Sequence, residues 1–316
     1  MCSKKFLQYK NLKVIGNIFY IVILLIGILG IAQNYYIHYN SDLLPVFNKG
    51  ICGTFNNSNF MGTFLSITLP ITMILFIING KKKNLILSGI LFFNMLACLA
   101  RSSWVAFFAT FLIILIYLIK KRNKEFVKKA LILLGIFIII FTYMFYFKNA
   151  RFSNKFKTMV GEIKSASQSG IEDNMGSNRI KIWKLAVELI SKKPILGSGP
   201  DTFAYGLARN CTEGFIEYYK ASKGILDKAH NEYLHITATM GIPAVCIYLT
   251  FIGFILIPKL KFMYKDKAHF IICTCIISYL IQAFFNISII YIAPLFWILL
   301  GIIDNTKIID EINELK

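Results

Sequence analysis

Three side chains have the types and settings for chemistry: Arg101, Arg179 and His230. An arginine at a membrane boundary costs about 2.5–3.5 kcal/mol if carried into hydrocarbon, so one kept there suits an anionic partner. Arg101 can equally snorkel its guanidinium to lipid headgroups. His230 can serve as a general base, because imidazole titrates near neutral pH. It can equally be a helix-start histidine bonded to the backbone. His235 follows five residues later and is off the same helical face, which removes an i, i+4 metal pair. His38 and His269 fall near opposite membrane surfaces. No Cys-x-x-Cys pair is present, so a zinc site is not expected.

The turn Pro194-Ile195-Leu196-Gly197-Ser198-Gly199-Pro200 is rich in glycine but lacks the Lys and Ser/Thr of a phosphate-binding loop. Its amides can form an anion nest, or the turn can be purely structural.

The elements that must position these groups are membrane helices. The chain is 56% hydrophobic and 15% aromatic, with 16% charged residues, where soluble domains carry nearer a quarter. The apolar residues lie in long runs. The fold class expected is therefore an all-α polytopic membrane protein with about eight transmembrane helices and one large extracytoplasmic loop. The net charge of +19 sits in clumps between apolar runs, as for membrane lipids as partners, and not in the stripe a nucleic-acid binder would carry.

The first span runs over about 14–31 and is too long for a signal-peptide core. Seven more follow at roughly 61–79, 85–99, 102–119, 128–147, 233–257, 270–285 and 287–303. The run 85–119 is too long for one span, and Arg101, Ser102 and Ser103 break it into a hairpin. Basic clumps mark one side: Lys4, Lys5, Lys10 and Lys13; Lys81–Lys83; Lys120–Arg122 with Lys124, Lys128 and Lys129; and Lys259, Lys261, Lys265 and Lys267. With about eight alternating spans all four fall on one face, which the positive-inside rule makes cytoplasmic, together with both termini. The opposite connections carry little charge, Asp42 and Lys49 among them. The expected domains are 1–147, N-terminal helices; 148–231, an extracytoplasmic loop; 232–303, C-terminal helices; and 304–316, a cytoplasmic tail.

Within the loop, Ser177 is suited to cap a helix over 178–193 that Pro194 ends. Arg179, Trp183, Ala186, Val187 and Ile190 recur on it at helical spacing. That stripe either lies on the bilayer with Trp183 at headgroup depth or forms the core of a small outer domain. Residues 161–176, rich in Ser, Gly and charge, are expected to be mobile. Cys52 and Cys211 both fall outside the membrane, where a disulfide is open to them. The spans hold no Asp or Glu, and their polarity is limited to groups such as Asn94, Gln282 and Thr237. Ion-coupled transporters usually carry buried acids, so chemistry is expected at the outer surface.

Four stretches together resemble the O-antigen ligase and polymerase family of bacterial envelope polysaccharide enzymes. The first is Gly53-Thr54-Phe55-Asn56-Asn57-Ser58-Asn59-Phe60, with Ser58 where the family usually has Pro. The second is Ala100-Arg101-Ser102-Ser103-Trp104, with Ala100 for Ser and Ser102 for Gly. The third runs from Arg179 and Trp183 to the 194–200 turn and Phe203. The fourth is Ala229-His230-Asn231-Glu232-Tyr233-Leu234, then Gly241-Ile242. The likeness covers about 53–257. The family has further helices before its first motif, so this chain is expected to be a short member or to lack an N-terminal part.

The resemblance implies a GT-C-like helical bundle and a metal-independent glycosyltransferase with no cofactor. Its donor would be a glycan on a polyprenyl diphosphate, and its acceptor a glycan or lipid hydroxyl at the outer face of the cytoplasmic membrane. It implies catalytic roles for His230, Arg101 and Arg179, and substrate-binding roles for Asn231, Tyr233, Trp183 and Asn59. Two arginines suit a diphosphate leaving group, and His230 suits the acceptor proton. Because a diphosphate leaves readily, the paired carboxylates of glycosidases are not needed. A transporter or flippase of lipid-linked sugars and a non-catalytic scaffold of envelope assembly are the rival readings. Polymerase and ligase differ only in the acceptor, which one sequence does not name.

Overall fold

A computed structural model describes residues 9–39, 51–148, 150–170, 172–173, 175–222, 224 and 226–314. Lys4, Lys5, Asp42 and Lys49 lie outside the described residues. All regular structure among those described is helical. In chain order the helices are α1 (Tyr9–Tyr39), α2 (Ser58–Asn79), α3 (Lys82–Ala97), α4 (Arg101–Lys121), α5 (Lys124–Thr142), α6 (Ala150–Ser169) and α7 (Met175–Lys192). Then come α8 (Phe203–Asn210), α9 (Thr212–Ser222), α10 (Glu232–Met240), α11 (Ile242–Leu260), α12 (Lys267–Ala283), α13 (Ala293–Asp304) and α14 (Thr306–Glu314).

Among the described residues, five segments are long and apolar enough to cross a membrane: Lys13–Tyr35 in α1, α2, α4, Lys124–Tyr146 from α5, and α11. Helices α12 and α13 are apolar but shorter, and α3 has 16 residues, about 24 Å at the usual rise. Against the expected eight spans, the structure thus offers five of full length. The span expected over 233–257 is broken at Gly241, whose φ of 91° and ψ of 167° no helix tolerates. Within the segment expected as a tail, Thr306–Glu314 form α14.

The chain divides into two compact units. The first comprises Met1–Ser153, Ile255–Gln282 and Ile289–Lys316. In it α2 packs on α3, α4 and α5, and α1 packs on α3. Several polar groups inside this bundle pair with one another or with the helix backbone, which relieves them in hydrocarbon. Ser88 Oγ donates to Thr72 Oγ1 at 2.9 Å, and Thr68 Oγ1 to the Phe64 carbonyl at 2.9 Å. Asn94 Nδ2 on α3 donates to the Gly27 carbonyl on α1 at 2.9 Å. Gly27 and Gly30 make room for it: a Cβ on Gly30 would lie 1.8 Å from Asn94 Oδ1. Aromatic stacking fills the remainder, with Phe92 on Phe137 at 4.1 Å and Tyr117 on Phe270 at 3.9 Å.

The second unit comprises Asn154–Phe254 and Ala283–Ser288. Its core gathers Ile182, Leu185, Ala186 and Leu189 from α7 with Phe203 and Leu207 from α8, and with Ala229 and Ala238 around α10. The i, i+3, i+4, i+7 spacing of the α7 residues gives them one face. This is the small-domain alternative for the α7 stripe, with its centre shifted. Ala186 is in the core and Trp183 and Ile190 pack against it, but Val187 is exposed. Residues expected to be mobile from 161 on are helical through Ser169, and Glu162 accepts a hydrogen bond from the Gly176 amide at 2.9 Å.

Candidate functional site

In the first unit, the chain reverses between α3 and α4 at Cys98-Leu99-Ala100, with Leu99 in the left-handed region at φ 58°. This is the hairpin break expected at Arg101, and Arg101 is the first residue of α4. Ser103 holds the turn: its amide and its Oγ both donate to the Ala100 carbonyl, at 3.0 and 2.7 Å. Trp104 Nε1 reaches back to the Met95 carbonyl at 2.9 Å. Helix α2 comes so close that a Cβ on Gly62 would meet Ala100 Cβ at 2.8 Å. The half-buried Arg101 therefore sits on a rigid turn at the amino end of a helix. Helix dipoles favour anions at that end, so Arg101 and the helix end present positive charge together.

Asn59 is the second residue of α2. Its amide donates to Oδ1 of the N-cap Asn57 at 2.8 Å, and its carbonyl accepts from Thr63 Oγ1 at 3.0 Å. Ahead of it, Gln33 of α1 grips Gly53 at both ends: Oε1 accepts from the Gly53 amide and Nε2 donates to its carbonyl, each at 2.8 Å. The Gly-Thr-Phe stretch is thus a fixed entry into α2, and Ser58 fills the first helical position without proline.

In the second unit, α7 begins with an unusual bend. Gly176, Ser177 and Asn178 all have positive φ, at 64°, 61° and 65°. Ser177 is therefore not an extended N-cap residue as expected; three consecutive left-handed residues turn the chain into the helix at Arg179. Arg179 is half-buried, and its charge is felt by His230. Burial chiefly, then Arg179, holds the His230 imidazole below its usual range, with Asp227 opposing. His230 itself has a φ of 50°, a conformation costly for a side chain with a Cβ. Its Nδ1 is buried and makes no hydrogen bond. The backbone-bonded alternative for that nitrogen is therefore absent, and buried polar atoms without partners are rare enough to require a reason.

Asn231 follows as the extended N-cap of α10, its Oδ1 accepting from the Leu234 amide at 3.0 Å. Its role in the structure is to start the helix immediately after His230. Tyr233 packs on Phe284 with ring centroids 6.4 Å apart. Trp183 meets the same Phe284 edge-on at 5.4 Å, and its buried Nε1 donates to no acceptor. Arg179, Trp183, His230, Asn231 and Tyr233 thus share the second unit, while Arg101 and Asn59 belong to the first.

One acid was missed. Glu232 lies just before the expected span, is only 4% exposed, and accepts a 2.6 Å hydrogen bond from the Tyr248 hydroxyl of α11. Its neighbour His235 is neutral by design of its surroundings. Burial, then Lys228, pushes its pKa down to about 4, its ring lies 5.5 Å from Phe203, and its Nδ1 accepts from the Ala229 amide at 3.5 Å. It braces the loop that carries His230. Among the described residues, no group of three or more His, Cys, Asp or Glu is placed to hold a metal ion. Cys52 and Cys211 are both buried free thiols.

The sequence pattern of the O-antigen ligase family matches residues 86–249, just over half of the chain. The chain belongs to the O-antigen ligase family. The matched stretch includes the Arg101 turn, the whole of α7 and the His230–α10 corner. Family membership together with the five long apolar helices makes this a multi-pass membrane protein with a role in surface-polysaccharide assembly, and implies glycosyltransferase-like activity. Among curated proteins, none matches the chain.

Proposed function

We propose that the protein is a glycosyltransferase that moves a glycan from a polyprenyl diphosphate to an acceptor hydroxyl at the outer face of the cytoplasmic membrane. The observation that carries this reading is His230, an imidazole pushed toward its neutral form by burial and by Arg179, with a buried ring nitrogen that no described residue bonds. A neutral imidazole is the form that can take a proton.

In the proposed reaction the acceptor hydroxyl gives its proton to His230. Its oxygen then attacks the anomeric carbon, and the bond from that carbon to the diphosphate oxygen breaks. The electron pair leaves with the polyprenyl diphosphate. Arg179 and Arg101 offset the negative charge that grows there, each able to hold phosphate oxygens in bidentate fashion. The amino end of α4 adds its dipole to Arg101. Trp183 and Tyr233 offer aromatic faces on which sugar rings pack, and Asn231 and Asn59 fix the backbone entries to α10 and α2. In this reading the basic clumps lie on the cytoplasmic side, and 148–231 on the opposite side.

Replacing His230 with Ala in the native host, at matched protein level, tests the proposal. Long or attached glycan is expected to vanish while single lipid-linked units accumulate outside the cell. Unchanged glycan would overturn the assignment of His230. Failure of the lipid-linked units to reach the outer face would favour a flippase instead.

A further inference from the structure

We infer that the turn between α7 and α8 is a membrane anchor, which drives Ile195 and Leu196 into the acyl boundary of the bilayer beside α11. The inference rests on the reading of α11 as a membrane-spanning helix, and on no step of the proposed chemistry.

The starting point is an oddity of burial. Ile195 is 68% and Leu196 81% exposed, at the tip of a turn with no freedom to hide them. The turn is bound to the junction of α10 and α11 by backbone alone. The Ser198 amide donates to the Ala238 carbonyl at 2.9 Å and the Gly199 amide to that of Thr239 at 2.8 Å; the Ile242 amide donates to the Pro194 carbonyl at 2.8 Å. The two glycines facing each other across this contact leave no space for a side chain. A Cβ on Gly197 would lie 2.3 Å from the Thr239 carbonyl carbon, and one on Gly241 would lie 1.9 Å from the Ile195 carbonyl oxygen. Backbones this close fix the height of the turn to within a fraction of a helical turn.

That height is given by α11. Pro194 bonds to its first residue, and the helix that follows is of spanning length, with Ile247 and Phe254 projecting from it fully enough to face lipid. Ile195 and Leu196 are therefore held level with the first turn of a membrane span. Met240 and Ile242, both exposed, continue the same apolar collar. Lys193, also exposed, immediately precedes it, as suits anionic headgroups just above the acyl region, while Lys192 beside it pairs with Glu188 at 2.7 Å. The partner that fits an apolar tip, a cationic rim and an adjoining span is one leaflet of a bilayer. The consequence for the unit is a fixed depth: α10, with its nine residues, places the His230 corner about 13 Å along from the anchor.

The test uses the full chain in vesicles of phosphatidylethanolamine and phosphatidylglycerol, with Cys2 and Cys246 replaced by Ser. Leu196→Cys is labelled with an environment-sensitive fluorophore. Ile247→Cys serves as the lipid-facing reference, and Lys220→Cys as the polar one. Nitroxide-bearing lipids are expected to quench the Leu196 label at least half as strongly as the Ile247 label, and aqueous iodide to quench it several-fold less than the Lys220 label. Iodide quenching equal to that of Lys220 would overturn the inference. Protection from both quenchers would also overturn it, and would assign the tip to a protein partner such as a second copy. Because no activity is read, failure of the glycosyltransferase proposal would leave this result intact.

Discussion

Replacing Gly241 with Ala should undock the 194–200 turn without unfolding the rest of the protein. Two costs add. The native φ of 91° and ψ of 167° lie where residues other than glycine seldom go, which costs about 1–3 kcal/mol. The new methyl would also lie 1.9 Å from the Ile195 carbonyl oxygen, so the turn must retreat by more than an ångström. Retreat breaks the 2.8 Å bond from the Ile242 amide to Pro194, and a donor left unpaired at the edge of a membrane span costs a further 1–3 kcal/mol or so. The sum, about 2–6 kcal/mol, is a large part of a typical domain's stability, but it falls on one local contact. Amide hydrogen exchange reads it directly. The amides of Ser198, Gly199 and Ile242 should exchange at least about 30-fold faster, because each 1.4 kcal/mol is a factor of ten. Two controls separate the costs. Gly170 has a φ of 86° with open space around it, so Gly170→Ala tests dihedral strain alone. Gly161 sits in α6 with nothing nearby, so Gly161→Ala should be neutral or stabilising by up to about 1 kcal/mol. Unaltered exchange at Ser198, Gly199 and Ile242 in Gly241→Ala would refute the argument.

Four further outcomes are expected. Carbethoxylation of His230, followed by mass spectrometry of its peptide, should stay fast at pH values below the ordinary histidine midpoint, because the neutral form reacts and its pKa is depressed. In Arg179→Gln one depressing charge is gone while burial persists, so the reactivity limb should move up in pH; an unmoved limb would sever the link between the two residues. Tyr248→Phe and Glu232→Gln should each destabilise the second unit by about 1–3 kcal/mol and be clearly non-additive when combined, since they share one hydrogen bond; chemical denaturation of the four proteins gives the cycle. Phe203→Ala, at a fully buried ring, should cost about 3–5 kcal/mol in the same assay.

The parts of the fold that follow from local patterns were readable in advance. Arg101, Ser102 and Ser103 interrupt an apolar run too long for one span, and the chain turns there because an arginine and two hydroxyls cannot continue into lipid unpaired. His230 was open to a helix-start setting, and α10 does begin two residues on, where Asn231 caps the Leu234 amide. What depends on distant partners was not readable. The Gly-Ser-Gly turn read as an anion nest or a structural turn, yet Gly197 serves close approach to a backbone some forty residues away, and no spacing records that. Ser177 has the chemistry of a cap but sits between two other left-handed residues, where its φ forbids the role. Glu232 escaped notice because the span was expected to begin one residue later and to run through Gly241. The break at Gly241 makes α10 a separate helix, which turns a residue at a membrane edge into one buried against Tyr248.

The contact of Asn94 with Gly27 and Gly30 bears on how α1 finds its place after insertion. Most of α1 is apolar on every side, and lipid solvates one face of such a helix as well as another. Hydrophobicity therefore admits α1 to the membrane without telling it which way to turn. The carboxamide does. A slip of one residue rotates a helix by about 100° and shifts it by about 1.5 Å, which would carry both glycines away and push a larger side chain against Asn94. Such a misaligned helix would leave the Asn94 amide facing hydrocarbon without the Gly27 carbonyl. The Asn94 contact, together with the grip of Gln33 on Gly53, therefore disfavours rotational settings of α1 that do not bring two small residues to that amide.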